Sequence, residues 1–265
     1  MSQSMQWKSA IKSYMDKRLL WVFMLGCSSG FPWVLIGSNM SGWLKDAGLT
    51  RAAIGYFGSV FAVYAINFMW APLVDRVKLP FIGNKLGQRR SWIFLCQAIV
   101  LFCTLQIAGL DPSNNLMLAS MFALAIATAS ATQDVAIDAF RIDTFPKSES
   151  TKMPQASAMA VIGWWTGYSL PGYLAFVNAD SIGWNGVYYG MAGIVGLLMV
   201  FTLLVGEPKT KRDELQHAQG QHVGRSETAN ADLAIKYRLT IGEYGEHRAK
   251  NKHRKHQAGQ QCFRQ

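Results

Sequence analysis

From Leu19 to Val205 the chain alternates long apolar runs with short polar connections, and each run is about as long as a bilayer crossing. Roughly 20 apolar residues span about 30 Å of hydrocarbon as a helix. The runs extend from Leu19 to Leu44, Ala52 to Val74, Ser91 to Leu110, Leu116 to Phe140, Ala156 to Val177 and Gly183 to Val205. Backbone groups in lipid find no water, so such spans are helices or strands of a closed barrel. Blocks of strict apolar/polar alternation are absent, and the pattern predicts an all-α membrane protein of six transmembrane helices. Three regions follow: a lead-in over residues 1–18, the bundle over 19–205 and a polar, basic tail over 206–265. The tail holds too little clustered apolar surface to offset the entropy of ordering, so disorder is expected there. A tail that binds nucleic acid or anionic lipid, and an out-of-frame extension, are the other readings of that composition.

Charge then orients the bundle. Lys8, Lys12, Lys17 and Arg18 precede the first run, and Arg76, Lys78, Lys85, Arg89 and Arg90 lie between the second and third. Arg141, Lys147 and Lys152 follow the fourth, and Lys209, Lys211 and Arg212 follow the sixth. The opposite connections hold only Lys45 and Arg51. Positive residues stay on the cytoplasmic side, which predicts a multi-pass protein with both termini in the cytoplasm. The net charge of +10 is then a topology signal, and no nucleic-acid partner is expected for the bundle. Cys27, Cys96 and Cys103 lie within apolar runs without a C-x-x-C or a nearby histidine, so neither metal nor cofactor is expected. All five histidines follow residue 206, which leaves carboxylates as the proton carriers available inside the membrane. The N-terminus lacks an A-x-A-like cleavage site and reads as a cytoplasmic lead-in.

The fourth run carries the most informative polar groups. At about 100° per residue Ser130, Asp134, Asp138 and Arg141 share one stripe, with Gln133 at its flank and Asp143 nearly opposite. Ionisable groups within a span normally face a partner or a water-filled cavity. Asp134, and after it Asp138, are therefore candidate proton-coupling groups; the competing reading is an i,i+3 ion pair of Asp138 with Arg141 at the membrane boundary. Asp75 and Arg76 end the second run while Arg89 and Arg90 open the third, an arrangement suited to a charge clamp that gates neighbouring helices, with Arg141 nearby in the same role. Gly30 and Pro32 in the first run, and Pro171 in the fifth, are candidate helix-bending positions. Tyr64, Asn67, Gln133, Trp164, Trp165 and Tyr168 are candidate substrate-lining residues, able to hydrogen-bond and to stack on sugar faces. No nucleophile–base pair appears, and the chain does not read as an enzyme.

Several of these segments together resemble the AmpG muropeptide permeases of the major facilitator superfamily. They are Leu25-Gly26…Ser29-Gly30…Pro32, Trp70-Ala71-Pro72-Leu73-Val74-Asp75-Arg76, Gln88-Arg89-Arg90-Ser91-Trp92, Ala131-Thr132-Gln133-Asp134…Asp138-Ala139, Gly183-Trp184-Asn185-Gly186 and Glu207-Pro208. The resemblance covers about Leu25 to Pro208. It implies the amino-terminal six-helix half of a twelve-helix fold. It also implies proton-coupled import of N-acetylglucosaminyl-anhydromuramyl peptides across the inner membrane for peptidoglycan recycling. The superfamily's loop motif maps onto Asp75, Arg76, Gly87, Arg89 and Arg90 as a conformational clamp, and the Gln-Asp…Asp pattern onto Gln133, Asp134 and Asp138. The family commonly has Lys where this chain has Asn67 and Arg where it has Trp165, so an AmpG-like carrier of another amphiphile stands beside the muropeptide reading. A non-transporting six-helix membrane protein is the third. The resemblance further implies a missing carboxy-terminal half, and hence a truncated product, inactive unless it pairs with such a half.

Overall fold

The computed structural model describes residues 16–208 apart from Ser113 and Pro146. The expected lead-in up to residue 15 and the expected disordered tail from residue 209 lie outside the described residues. Among the described residues the secondary structure is helical throughout, without strands.

Helix α1 (Lys17–Val34) opens on Asp16, whose carboxylate accepts from the Arg18 backbone N–H at 3.0 Å. This cap satisfies one of the orphan donors of the first turn. Pro32 sits inside α1, and the span continues through a π-helical turn, Leu35–Asn39, into α2 (Met40–Asp46). The second span is less regular. It passes through α3 (Arg51–Phe57), a 3₁₀ turn, α4 (Ala62–Ile66), another 3₁₀ turn and α5 (Ala71–Arg76). A short α6 (Ile82–Leu86) precedes α7 (Gln88–Ala108) and α8 (Leu116–Thr144).

The fifth and sixth predicted spans both lie in α9 (Met153–Leu204), helical at every residue but Gly183. At 1.5 Å per residue, 52 residues would run about 78 Å, more than twice a hydrocarbon core. Gly183 resolves the excess: its φ of 71° and ψ of 161° leave the helical region, at a conformation closed to other residues. The chain reverses there. Gly163 lies against Phe23 and Gly172 against Val34, whereas beyond the turn Trp184 meets Asp46 and Arg90 meets Thr202. The two halves of α9 are therefore antiparallel spans.

Packing is closest between α1 and the first half of α9. A Cβ placed on Gly30 would lie 2.1 Å from the Trp164 carbonyl, and one on Gly167 would lie 2.1 Å from that of Cys27. With Gly26 and Gly163 these residues form two interdigitated Gly-x-x-x-Gly ridges that let backbones touch. Phe31, Leu35, Met40, Leu44, Ile107, Ile126 and Tyr188 fill the core beside that seam. Outside, Met117, Leu170, Tyr173, Leu197 and Leu204 are largely exposed, an apolar exterior matched to lipid.

Candidate functional site

Pro32 has no N–H to give to the carbonyl of Ser28, one turn back in α1. Gln133 of α8 takes that place: its Nε2 donates to the Ser28 carbonyl at 3.0 Å and to Ser28 Oγ at 3.0 Å. From α7, Gln97 Nε2 donates to the same hydroxyl at 2.7 Å. The next residue, Ser29, donates through Oγ to Asp134 Oδ1 at 2.6 Å. Three spans thus meet at one polar point half-way along α1, because a helix-bending proline exposes a carbonyl where α8 and α7 carry amides.

This network is incompletely satisfied. Gln97 Oε1 and Gln133 Oε1 are buried without a hydrogen-bond partner among the described residues, as are both side-chain polar atoms of Asn39 in the π turn, while the buried hydroxyls of Ser130 and Tyr64 have only each other. A buried polar atom left open costs about 1–3 kcal/mol. Asp134 has no cationic partner among the described residues either. Its hydrogen bond is the one from Ser29.

Aromatic rings adjoin this polar point. Trp33 of α1 packs against Tyr64 at 4.5 Å, Phe61 at 4.9 Å and Trp164 at 5.8 Å between ring centroids. Trp164 and Tyr168 lie parallel at 5.6 Å with 4° between planes, and the Tyr168 hydroxyl meets Ser38 Oγ at 2.5 Å. Of the expected lining residues, Tyr64, Trp164 and Tyr168 gather around Trp33, while Gln133 belongs to the polar point. Trp165 is 57% exposed at the flank, edge-on to Trp164. Asn67, in a 3₁₀ turn beyond Tyr64, makes no side-chain hydrogen bond among the described residues.

Charges collect at the basic end of the bundle. Arg89 reaches Asp75 at 2.7 Å and Asp143 at 3.0 Å, joining the ends of the second, third and fourth spans. Arg90 turns the other way, donating to the carbonyls of Thr202 at 3.1 Å and Leu203 at 2.5 Å. Glu207, just past the sixth span, accepts from the backbone N–H groups of Arg89 at 2.7 Å and Arg90 at 3.1 Å and so caps α7. Burial pushes its carboxyl up, against the pull of those two N–H groups. Gly87 makes room for it, with φ at 91° and a would-be Cβ only 2.4 Å from Glu207 Cγ. Asp138 is two-thirds exposed and pairs with Arg141 at 3.0 Å. Among the expected gating residues Arg76 also takes part in a contact at this end.

A second clamp lies beside it. Arg18 reaches Glu149 at 2.6 Å and Asp16 at 2.8 Å, Lys152 reaches Asp16 at 3.0 Å, and the Arg18 guanidinium stands 4.9 Å over the Phe145 ring. The Arg18 side chain holds the Asp16 carboxyl well below the usual carboxylate range, with burial opposing it and the Arg18 N–H and Lys152 assisting.

Sequence reasoning missed Asp143, Glu207, Ser28, Gln97 and this second clamp. Asp143 was read as pointing away from the Asp134 stripe, and it does; its partner comes from another span. The signals that could have found the proline–amide pairing were Pro32, which leaves the Ser28 carbonyl without its helical donor, and the mid-span amides of Gln97 and Gln133.

Over residues 11–250 the sequence matches the Major Facilitator Superfamily, past the boundary at residue 206 where composition changes. It is 33% identical over 208 residues to a Rickettsia felis protein named AmpG 4, covering 77% of this chain and 49% of that one. It is 31% identical over 199 residues to the anhydromuropeptide permease of Escherichia coli K12, covering 75% and 39%. AmpG 1 of Rickettsia conorii is 30% identical over 204 residues, covering 77% and 48%. The chain thus spans about half the length of these relatives or less. The apolar exterior, the proline-bent first span and these matches agree: the chain belongs to the Major Facilitator Superfamily of membrane transporters, and within it is similar to the proteins called AmpG.

Proposed function

We propose that this bundle forms one wall of a proton-coupled importer of muropeptides in the inner membrane, with a second six-span bundle as the opposite wall. Asp134 is the proton-binding group. The single observation that carries this reading is its setting: a carboxylate within a span, 2.6 Å from Ser29 Oγ, with no cation beside it among the described residues. Deprotonated, it holds an uncompensated charge in a low-dielectric place, which favours taking up a proton from the acidic side or drawing in water. Gln133 and Gln97 sit one helical step away through Ser28, so a change at Asp134 reaches the bend at Pro32 through adjacent serines. The rings of Trp33, Trp164 and Tyr168 offer faces for sugar, and the open amide oxygens offer acceptors. The charge clamps at the basic end hold that end closed in this state and release it when the bundle rocks. Positive-inside placement puts that end, and both termini, in the cytoplasm. The muropeptide assignment leans on the similarity to the Escherichia coli permease.

The test is uptake of labelled anhydromuropeptide by cells lacking their own importer, expressing the chain together with a second six-span bundle of the family. Accumulation that collapses with the proton gradient is expected, and Asp134→Asn is expected to abolish the gradient dependence while leaving membrane insertion intact. Gradient-driven accumulation unchanged in Asp134→Asn removes the coupling role; no accumulation of muropeptide, with another amphiphile accumulated instead, removes the substrate assignment.

A further inference from the structure

A cavity of about 480 Å³ lies between α7 and α8, walled by Trp92 and Ile99 on one helix and by Met121, Ala125 and Thr128 on the other. The polar point of the first span is not part of it. At its inner end Thr132 Oγ1 accepts from Trp70 Nε1 at 3.0 Å and donates to the Thr128 carbonyl at 2.7 Å, which leaves that hydroxyl no free donor. Thr128 likewise spends its hydroxyl on the Leu124 carbonyl at 2.8 Å. The cavity is therefore apolar, and its rim residues Met121, Leu124 and Ile99 are exposed on the lipid-facing exterior. From Met121 to Thr132 it follows α8 for about 16 Å at 1.5 Å per residue, close to one leaflet, half of a roughly 30 Å core.

What lies at its basic end names the occupant. Trp92 lines the cavity three residues after Arg89, and its indole N–H donates to the Val77 carbonyl at 2.8 Å. That bond ties the 77–86 connection to the cavity mouth. The connection carries Lys78 and Lys85, both exposed and neither in an ion pair among the described residues. The Lys78 stem lies over Gly83, where a Cβ would stand 2.9 Å from its Cγ. The nearby acid, Asp75, is engaged by Arg89. The same connection holds Phe81 at φ 61°, a strained value for a non-glycine residue, with its ring 87% exposed. Exposed aromatic and basic side chains at one level of a membrane protein belong at the headgroup boundary.

We propose that the α7–α8 cavity binds one acyl chain of an anionic phospholipid whose phosphate rests on Lys78 and Lys85. A zwitterionic lipid fits the apolar part equally but gains nothing from the two lysines. The occupant is thus selected by charge at the mouth and admitted by shape between the helices.

The test uses the full chain in nanodiscs with photoactivatable phosphatidylglycerol or phosphatidylcholine, both carrying the reactive group on the acyl chain. Labelling is expected in the peptides around residues 92–99 and 121–132, stronger for phosphatidylglycerol by roughly thirtyfold, as two surface lysines give. Thr128→Trp fills the cavity from an exposed position and is expected to remove labelling by both lipids. Lys78→Gln with Lys85→Gln leaves the helices untouched and is expected to equalise the two lipids. Equal labelling of the unaltered chain by both lipids overturns the proposal, as does undiminished labelling of Thr128→Trp. So does a second polypeptide crosslinked into the cavity in place of lipid.

Discussion

The basic end of the bundle and its polar middle treat buried polar groups in opposite ways. At the basic end Arg89 has two carboxylates, Arg90 two carbonyls, and the first N–H groups of α7 the carboxylate of Glu207, with Arg141 Nε the one buried side-chain polar atom there without a partner among the described residues. In the middle, the amide oxygens of Gln97 and Gln133 and the Asn39 amide lack partners among the described residues. Saturated networks hold a structure in one arrangement, whereas open groups keep capacity for a ligand, water or proton. The difference separates polar groups held in one arrangement from polar groups left open, and it can be broken at either end.

Arg89→Ala should have the largest effect on stability. It leaves Asp75 and Asp143 facing each other without a cation, at a cost of about 2–3 kcal/mol, less than a fully buried pair because Asp75 is half exposed. Thermal unfolding of the chain in detergent reads it; a loss below about 0.5 kcal/mol would show the clamp to be ornamental. Next comes Gly87→Ala, expected to cost about 2 kcal/mol. Its methyl group both strains a φ of 91° and pushes Glu207 off the start of α7. Hydrogen exchange should then rise in the first turn of α7 and not in its interior.

Asp16→Asn keeps an oxygen able to cap α1 and removes the charge paired with Arg18 and Lys152, a loss expected to cost about 1 kcal/mol. Its sign with pH follows from the depressed folded value. The stabilisation is complete above the unfolded carboxylate value near pH 4, and is lost as pH falls through the much lower folded value. The gap between the two proteins in unfolding temperature should therefore be full at neutral pH and persist at pH 4. A gap that closes by pH 4 would mean the Arg18 contact does not form in solution. The smallest effect belongs to the middle. Ser130→Ala removes a buried hydroxyl whose one polar neighbour is the Tyr64 hydroxyl, and should change stability by less than about 1 kcal/mol. A loss of 2 kcal/mol there would erase the contrast between the two regions.

Much of this was legible in the residues. Asp134, Asp138 and Arg141 share a stripe in any helix, so the stripe was readable, and so was the i,i+3 spacing of the Asp138–Arg141 pair. Asp75 and Arg89 were readable as clamp members because opposite charges close in sequence flank one connection. Asp143 and Glu207 were not. Their partners lie 54 and 118 residues away, and nothing along the chain marks which helix end will stand beside Arg89.

The sequence by itself determined that lipid surrounds the bundle, where the helices run, which end is basic and where a proline bends the first span. These follow from composition and periodicity, which act over one or two helical turns. Only the tertiary structure decided that Gln133 and Gln97 converge on Ser28 and that Trp33 gathers rings from two other spans. Each depends on the angle and depth at which two helices cross, and that is set by the close approach of Gly26 and Gly30 to Gly163 and Gly167, a contact between segments far apart along the chain.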